Sequence, residues 1–492
     1  MPDPATSSAS RSPVRLRLPT AAATDLALLG AVTVLLRVPA FLSTRHLTFD
    51  DGVFGASAVA MRDGDLPFRD VFSSQGPLFL PLVWAADLLG FRTPDAPRLL
   101  SMVSALVVVG ATYLAGRRIT GRAQALLAAG LVTTSGTVLW VTGPLAADAP
   151  ALALSMVALT LALSYRESPS AATAVGMGLA VSATMSVKAL YLSIGLPVLA
   201  VVLFARRPRH LAYAIGAALA LGLALALPWG LADVWDQSVD YHLDAAGDRT
   251  PGANFNKVVS TLGDRDLPLV VASGLALAAG LVRWRRPRLL AGMGPEPTED
   301  RPPALPSPDL LLGLWLAGSA LVLLAEHPLW RPHLSMLIPP AALLVARHAP
   351  PWRALAVAAI VVVPYHLVHV WPVLWPEGRD GDEAAVVVEL DALPDGAWAI
   401  SDDPGIVWRA GRRTPADLVD GSRLRIDSER LTPEGVAAEA ADPHVCAVVV
   451  WSSRFGAWED LPALLAEEGY EPALTLDDDR VVYVRPDCEA PT

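Results

Sequence analysis

The stretch that decides the fold class is Asp25–Leu42, DLALLGAVTVLLRVPAFL, together with Leu47–Asp65, LTFDDGVFGASAVAMRDGD. The first part is almost wholly apolar and has the length of a helix that crosses a bilayer. The second part begins with two adjacent carboxylates, Asp50 and Asp51, just beyond that helix. Paired acids at such a place have two interpretations, a helix start that suits the helix dipole or a chemical centre.

The residues after the acid pair have helical periodicity. Val53, Ala56, Ala60 and Met61 fall on one face, which predicts a short amphipathic helix on the membrane surface. The later acids, Asp63 and Asp65 in RDGD, then form the solvated end of this helix.

Apolar runs recur along the whole chain of 492 residues. Hydrophobic residues make up 53% of the sequence and charged residues 18%, which is too apolar for an ordinary soluble enzyme. The runs are about 16–20 residues long and are separated by short charged or proline-rich breaks. The predicted class is a mainly α, polytopic helical membrane protein. The basic residues lie scattered at helix ends and do not form the stripe of a nucleic-acid-binding protein.

Basic residues also predict the topology, because cytoplasmic loops favour Arg and Lys. Six basic clusters can all face the cytoplasm if the chain crosses the plasma membrane eleven times, with the N-terminus inside and the acidic C-terminal part outside. The predicted spans are 24–42, 99–116, 124–142, 149–165, 171–187, 189–205, 211–229, 267–283, 309–325, 334–347 and 354–370. This count requires that Gly76–Gly90, GPLFLPLVWAADLLG, is a re-entrant or interfacial helix. A short tilted span is the alternative.

Composition predicts three parts. Residues 1–23 form a disordered cytoplasmic N-terminus, and residues 24–376 a transmembrane domain with its first outer loop at 43–98 and a cytoplasmic linker at 289–308. Residues 377–492 contain 26 acidic and 10 basic residues, whereas the whole chain has a net charge of −11. They are numerous enough for a small extracytoplasmic domain with its own core.

Short apolar runs predict that this C-terminal part is α/β. GAWAIS and VCAVVVW fit strands, RVVYVRP fits an edge strand, and helical segments lie between them. Asp402 and Asp403 in ISDDP follow a strand and indicate a helix N-cap. Cys446 and Cys488 both lie here. An oxidising exterior permits a disulfide, but the sequence does not decide whether they pair.

Two further candidates fall on the predicted outer face. Asp148, in AADAPALAL, begins a span two residues before Pro150, which is typical of an ordinary helix start. Lys188 is one of only two lysines among 38 basic residues and is flanked by apolar residues. A cation at membrane depth is costly, so it indicates a polar cavity or a phosphate, with snorkelling to the interface as the alternative.

The segment EHPLWRPH, from Glu326 to His333, lies at the outer mouth of a late span. Arg331 can bind a phosphate through two parallel hydrogen bonds. His327 and His333 lack the i, i+4 spacing of a helical metal site, and the prolines between them make the backbone irregular. Walker A, G-x-G-x-x-G and G-x-S-x-G motifs do not occur in the sequence, which argues against a cytosolic nucleotide site and a hydrolase elbow.

The acid pair after the first span, followed by LPFRDVFSSQGPLFLPL (66–82), resembles the first outer loop of the GT-C fold integral membrane glycosyltransferases. These enzymes use polyprenyl-phosphate sugars and include protein O-mannosyltransferases and lipid A aminoarabinose transferases. The bacterial branch of family 39, the RgtA/B/C/D-like proteins, is the most similar, over most of residues 24–347.

The resemblance implies roles for particular residues. Asp50 corresponds to the family's catalytic base, and Asp51 stands where many members have an acid. Asp148, Lys188, Arg331 and His333 match positions of the family. We expect Asp51 and Asp148 to position the acceptor or a metal, and Lys188 and Arg331 to hold the phosphate. His327 is a further candidate for substrate binding. Where some relatives have Lys or His before a double proline, this sequence has Gln75 and Gly76 before Pro77, so a phosphate contact from Gln75 is weaker or absent. Some members need a divalent metal near the acids, for which Asp50 and Asp148 are candidates.

The predicted function is an inverting, mannosyltransferase-like glycosyltransferase of the cell envelope. It transfers a sugar from a polyprenyl phosphate to an extracytoplasmic glycan, lipid or protein. One alternative is a transporter or flippase that binds a lipid-linked sugar with the same residues and breaks no bond. A second is a membrane anchor whose C-terminal part does the work.

Overall fold

The structure is a computed structural model that describes residues 20–244, 251–285, 305–348, 352–477 and 479–488. The first half of the chain forms the α-helices α1 Thr20–Leu35, α2 Val38–Phe41, α3 Phe49–Arg62, α4 Phe79–Leu89, α5 Leu99–Ile119, α6 Arg122–Thr134, α7 Gly136–Thr142, α8 Asp148–Glu167, α9 Ala171–Val187, α10 Gly195–Phe204 and α11 Pro208–Ala226. It continues with α12 Leu231–Trp235, α13 Tyr241–Asp244, α14 Pro251–Arg265, α15 Leu267–Arg285, α16 Pro308–Ala325, α17 Ile338–Arg347 and α18 Trp352–Leu374.

The C-terminal segment, residues 377–488 without 478, mixes helices and strands. Its elements are α19 Gly381–Asp391, β1 Trp398–Ser401, α20 Pro404–Arg409, α21 Arg423–Asp427, α22 Pro433–Ala440, β2 Val445–Val450, α23 Ser453–Gly456, α24 Leu461–Glu467, β3 Glu471–Asp477 and β4 Arg480–Val484. Short 3-10 helices occur at Ala96–Arg98, Ala189–Ile194, Leu227–Trp229, Arg331–Leu337 and Ala416–Val419, and a π-helix at Asp236–Asp240.

The mainly α class is confirmed, and each of the eleven predicted spans falls on one helix or on two consecutive helices. Among the described residues, five helices are long and apolar enough to cross a bilayer, and α6 with α7, bent by 59°, would make a sixth. Four of the other five predicted spans fall on helical segments of 17 residues or fewer, so the count of eleven stays a prediction. Helix α4 has 11 residues. At 1.5 Å per residue it is about 16 Å long, well short of a bilayer core of about 30 Å.

The four strands form one sheet in the order β1-β2-β4-β3. Strand β1 pairs with β2 in parallel, and the other two pairs are antiparallel. The prediction of an edge strand at RVVYVRP was wrong, because β4 lies between β2 and β3. The true edge, Glu471–Asp477, was not predicted, since its largely exposed residues carry no apolar run. Cys446 in β2 and Cys488 form a disulfide.

The predicted N-terminal tail and the linker at 289–308 lie mostly outside the described residues. Residues 20–23 are already part of α1, so the predicted disordered segment does not extend that far. The C-terminal segment has apolar cores on both faces of its sheet. Two of its residues, Trp408 and Val419, belong instead to the large apolar core of the helical part. The two parts therefore share buried side chains.

Candidate active site

Helix α3 is buried on nearly all sides, which corrects the prediction of an amphipathic helix on the membrane surface. It packs against α20 of the C-terminal segment, with almost no space between the two backbones. A Cβ on Gly52 would lie 2.6 Å from the Cα of Gly405, and a Cβ on Gly55 would lie 2.2 Å from the Trp408 ring. Small residues in the sequence thus mark a close helix contact that the amphipathic pattern did not reveal.

The solvated end predicted for this helix is also corrected. The Arg413 guanidinium of the C-terminal segment contacts the carboxylates of both Asp63 and Asp65, each at 2.6 Å. Farther along the same interface, Arg409 donates to the Pro94 carbonyl at 2.8 Å and pairs with Asp95 at 2.8 Å. Charged side chains therefore fasten the C-terminal segment to the first predicted outer loop.

Neither acid of the Asp50–Asp51 pair caps helix α3. The N-cap is Thr48, whose hydroxyl accepts a hydrogen bond from the Asp51 backbone N–H at 3.2 Å. Both acids instead occupy the first turn, where the helix dipole favours negative charge. Since the cap interpretation does not explain them, their side-chain surroundings decide what they do.

Asp51 is fully buried and bonded at both carboxylate oxygens. Arg98, itself fully buried, donates from Nε at 3.1 Å and from Nη2 at 2.5 Å. The backbone N–H groups of Leu47 and Leu145 donate at 2.9 and 2.8 Å. Burial raises the pKa of Asp51, but the Arg98 charge and these hydrogen bonds outweigh it and hold the pKa below its ordinary value. Both oxygens of Asp51 are thus engaged within the protein, and its predicted role in positioning the acceptor or a metal stays a prediction.

Asp50 has the opposite surroundings. Its side chain is partly exposed, and among the described residues its carboxylate has no hydrogen-bond or ion-pair partner. Desolvation by the surrounding protein raises its pKa, and the positive charge of Lys188 offsets part of that increase. An unpaired carboxylate with a raised pKa is a stronger base than a surface aspartate, while water and small groups can still reach it.

Asp148, Lys188 and His333, predicted from three distant segments, meet in one network. Lys188 Nζ lies 2.7 Å from Asp148 Oδ2 and 3.0 Å from His333 Nε2. The Tyr191 hydroxyl lies 3.1 Å from Asp148 Oδ1 and 2.7 Å from the Ser335 hydroxyl. Lys188 therefore holds a fixed position with two of its three N–H bonds engaged.

The network lies beside Asp50. The charges of Lys188 and Asp148 both act on the Asp50 carboxylate, and so does that of Asp420 from the C-terminal segment. Asp420 is buried, and its Oδ1 accepts the Ser422 backbone N–H at 2.9 Å. A cation tethered next to a free carboxylate provides an acid–base group and a site for negative charge within one cleft.

Among the described residues, the other predicted residues make no hydrogen bond to Asp148, Lys188 or His333. Arg331 is exposed and acts electrostatically on Lys257 and Arg265, so it belongs to a separate basic patch. His327 is half-buried, and its Nδ1 has no hydrogen-bond partner among the described residues. The Gln75 side chain donates to the Ser74 hydroxyl at 3.3 Å, its one hydrogen bond within the described residues.

The proposed metal ligands do not form a metal site of the usual kind. Among the described residues, no group of three or more His, Cys, Asp or Glu side chains has the geometry to bind a metal ion. Asp148 is occupied by Lys188 and Tyr191, since both donate to its carboxylate.

Sequence reasoning missed three residues of this region. Tyr191 follows Lys188 by one helical turn, a spacing that could have suggested a shared partner. Arg98 is the partner of Asp51 but looks like one more basic residue at a helix end. Asp420 is 370 residues from Asp50, and nothing in its local sequence distinguishes it from the other acids of the C-terminal part.

Comparisons with known proteins bear on the family and on the fold. A search of curated proteins finds no match. A family model, dolichyl-phosphate-mannose-protein mannosyltransferase, matches residues 74–231, which include α4, α8 and α9 with Asp148 and Lys188.

Solved structures of similar fold cover almost the whole chain. ArnT from Cupriavidus metallidurans, bound to undecaprenyl phosphate, superposes with a TM-score of 0.67 at 15% identity, over 95% of this chain and 99% of ArnT. The apo state of the same protein gives a TM-score of 0.64 at 15% identity, over 96% of this chain and 100% of ArnT. The archaeal oligosaccharyltransferase AglB from Archaeoglobus fulgidus, in complex with an inhibitory peptide and a dolichol-phosphate, gives 0.53 at 12% identity, over 96% of this chain and 75% of AglB.

The chain therefore has the fold of ArnT, a helical bundle with a small sheet, and the sequence-based resemblance to GT-C polyprenyl-phosphate-dependent glycosyltransferases is confirmed.

Proposed function

We propose that this chain is a membrane glycosyltransferase that moves a sugar from a polyprenyl phosphate to an acceptor hydroxyl, with inversion at the anomeric carbon. The observation that carries the proposal is the unpaired Asp50 carboxylate beside the tethered Lys188 ammonium. The polyprenyl-phosphate ligand is inferred from ArnT and AglB, whose structures hold undecaprenyl phosphate and a dolichol-phosphate.

In this proposal Asp50 is the general base. It removes the proton of the acceptor hydroxyl as that oxygen attacks the anomeric carbon of the donor. The bond between the anomeric carbon and the phosphate oxygen breaks, and the polyprenyl phosphate leaves with the electron pair. The raised pKa of Asp50 makes it the better proton acceptor, and it must be ionised to act. Transfer should therefore increase as pH rises through this pKa.

Lys188 has the complementary role. The phosphate gains negative charge as the sugar departs, and a fixed cation in a low-dielectric cleft stabilises that charge. Asp148 and His333 hold Lys188 in place, because each accepts one of its N–H bonds. The third N–H is left for the phosphate. Asp51 is assigned a structural role, because Arg98 and two backbone amides occupy both of its oxygens.

We also propose the predicted arrangement in the plasma membrane. The N-terminus faces the cytoplasm, eleven spans cross the bilayer, and residues 377–492 form an extracytoplasmic α/β domain that covers the site. The disulfide between Cys446 and Cys488 supports an oxidising location for this part. The ion pairs of Arg413 with Asp63 and Asp65 support the position of this domain over the first outer loop. The acceptor is an extracytoplasmic glycan, lipid or protein that carries a hydroxyl group.

The test is transfer of a labelled sugar from an undecaprenyl-phosphate donor by the purified chain in detergent or vesicles. Asp50→Asn should reduce transfer by about 10²–10⁴-fold, the usual contribution of a general base, and leave thermal unfolding unchanged. Asp391→Asn, at an exposed acid of α19, is the matched control. Near-normal transfer by Asp50→Asn would overturn the role of Asp50. Donor binding without any transfer would favour the transporter class.

A further inference from the structure

Glu326 lies at the far end of the Lys188 network, and the catalytic scheme above does not use it. It is the residue that ends α16, and its carboxylate contacts His333 Nδ1. Only 12% of the Glu326 side chain and 10% of the His333 side chain are exposed. The Glu326 backbone is fixed as well, because Asn254 of α14 donates to its carbonyl oxygen at 2.6 Å.

The contacts of His333 determine which of its ring nitrogens carries the proton. Lys188 is an ammonium and can only donate, so His333 Nε2 must accept and must be unprotonated. The proton of the neutral ring is then on Nδ1, which faces the Glu326 carboxylate. Glu326 stabilises this tautomer because its carboxylate is an acceptor only. If the proton moved to Nε2, two donors would face each other and the Lys188–His333 bond would be lost.

We propose that Glu326 is a positioning residue that acts on the lipid phosphate through His333 and Lys188. It holds His333 in the Nδ1-protonated form, His333 then anchors Lys188, and the remaining N–H of Lys188 stays directed at the donor phosphate. This inference rests on the proposed function, since it takes a polyprenyl phosphate to be the ligand of Lys188. It adds a residue whose side chain need not touch the donor.

The experiment measures binding of undecaprenyl phosphate, and separately the KM for the donor and for the acceptor. Glu326→Leu should weaken undecaprenyl phosphate binding by about tenfold and raise the donor KM, with the acceptor KM unchanged, because one hydrogen bond that orders Lys188 is lost. Glu326→Gln should largely restore binding, since its amide oxygen can replace the carboxylate oxygen that contacts Nδ1. Glu459→Leu, at an exposed glutamate of the C-terminal segment, is the control for loss of a surface acid.

A double-mutant cycle separates an indirect role from a direct or purely structural one. If Glu326 acts through His333, Glu326→Leu should have no further effect on binding in a His333→Ala background. Additive effects, or equal loss of donor and acceptor affinity, would overturn the inference. Wild-type protein that does not bind undecaprenyl phosphate would contradict the proposed function itself. Wild-type binding with unchanged binding in Glu326→Leu would contradict only the role of Glu326.

Discussion

Asp50 and Asp51 are neighbours in the sequence and belong to two contrasting regions of the molecule. Asp51 lies in a closed junction, where Arg98 and two backbone amides satisfy both of its oxygens. Asp50 lies in an open cleft, where its carboxylate has no partner among the described residues and a tethered lysine is close. Saturated contacts in the first region indicate stability, whereas unsatisfied groups in the second indicate a place kept for a ligand.

The same contrast holds for the surroundings of the two acids. The junction continues into the contact between α3 and α20, where Gly52 and Gly405 bring the backbones together. The cleft is lined by Asp148, Lys188 and His333, which come from the ends of separate helices. Substitutions in the junction should therefore affect folding, and substitutions in the cleft should affect turnover.

The largest expected effect is a difference in stability between variants of the two acids. Asp51→Asn leaves the Arg98 cation buried without its counter-ion, so we expect about 3–5 kcal/mol loss of stability, or no folded protein. Asp50→Asn breaks no contact within the described residues and should unfold at the wild-type temperature or above it. Thermal unfolding in detergent measures both variants. Equal unfolding temperatures for the two would remove the distinction between junction and cleft.

The second prediction concerns the glycine contact. Gly55→Ala would place a methyl group within 2.2 Å of the Trp408 ring, and overpacking of this kind costs about 1–3 kcal/mol. Gly130→Ala in α6 is the matched control, because a Cβ there meets nothing within 4 Å. Proteolysis of the C-terminal segment in the folded protein should increase for Gly55→Ala and not for Gly130→Ala. Equal protection in both variants would show that the contact is not needed for docking.

The third prediction concerns the pH dependence of folding stability at the junction. His46 lies 3.2 Å from Asp403. Burial opposes the charged form of His46, but the contact with Asp403 and the negative charges of Asp403, Asp51 and Glu383 together outweigh it and raise the pKa of His46 above its ordinary value. A group with a raised folded-state pKa stabilises the fold at pH values below its unfolded pKa of about 6.5. That stabilisation is lost as pH rises through the folded-state pKa.

Wild-type protein should thus lose stability as the pH rises above this range, because His46 gives up its proton in the folded state. His46→Gln should lack this dependence. Unfolding temperatures of the two proteins across neutral pH provide the comparison. A parallel decrease in both would assign the pH dependence to other groups.

The smallest expected effect is a shift in the pH dependence of transfer, caused by a substitution in the cleft. The charge of Asp420 contributes to the raised pKa of Asp50, so Asp420→Asn should lower that pKa. The acid limb of the transfer rate should then move to lower pH, because Asp50 stays ionised in more acidic solution. Asp417→Asn, at a neighbouring acid paired with Arg425, is the control and should leave the profile unchanged. If the acid limb of the transfer rate stays at the same pH in Asp420→Asn, the charge of Asp420 does not act on Asp50.

Sequence patterns predicted the helical part well and the site in part. Each of the eleven apolar runs predicted to be helical falls on a helix or on two consecutive helices. The reason is that backbone hydrogen bonding in lipid leaves few alternatives to a helix. Lys188 was singled out because a lysine is unusual in an apolar context, whereas Asp148 and His333 became candidates chiefly through the resemblance to the family. Tyr191 and Asp420 were missed, since a tyrosine in an apolar run and an acid in an acidic segment are ordinary by composition.

The sequence by itself determined that the chain is a helical membrane protein with an acid pair after its first apolar helix. It did not determine which acid is free. Successive residues of a helix point about 100° apart, so Asp50 and Asp51 face different neighbours. Those neighbours, Arg98 for one and the Lys188 network for the other, come from distant parts of the chain. Only the tertiary structure brings them together, and it therefore decides which carboxylate is bound and which is left for chemistry.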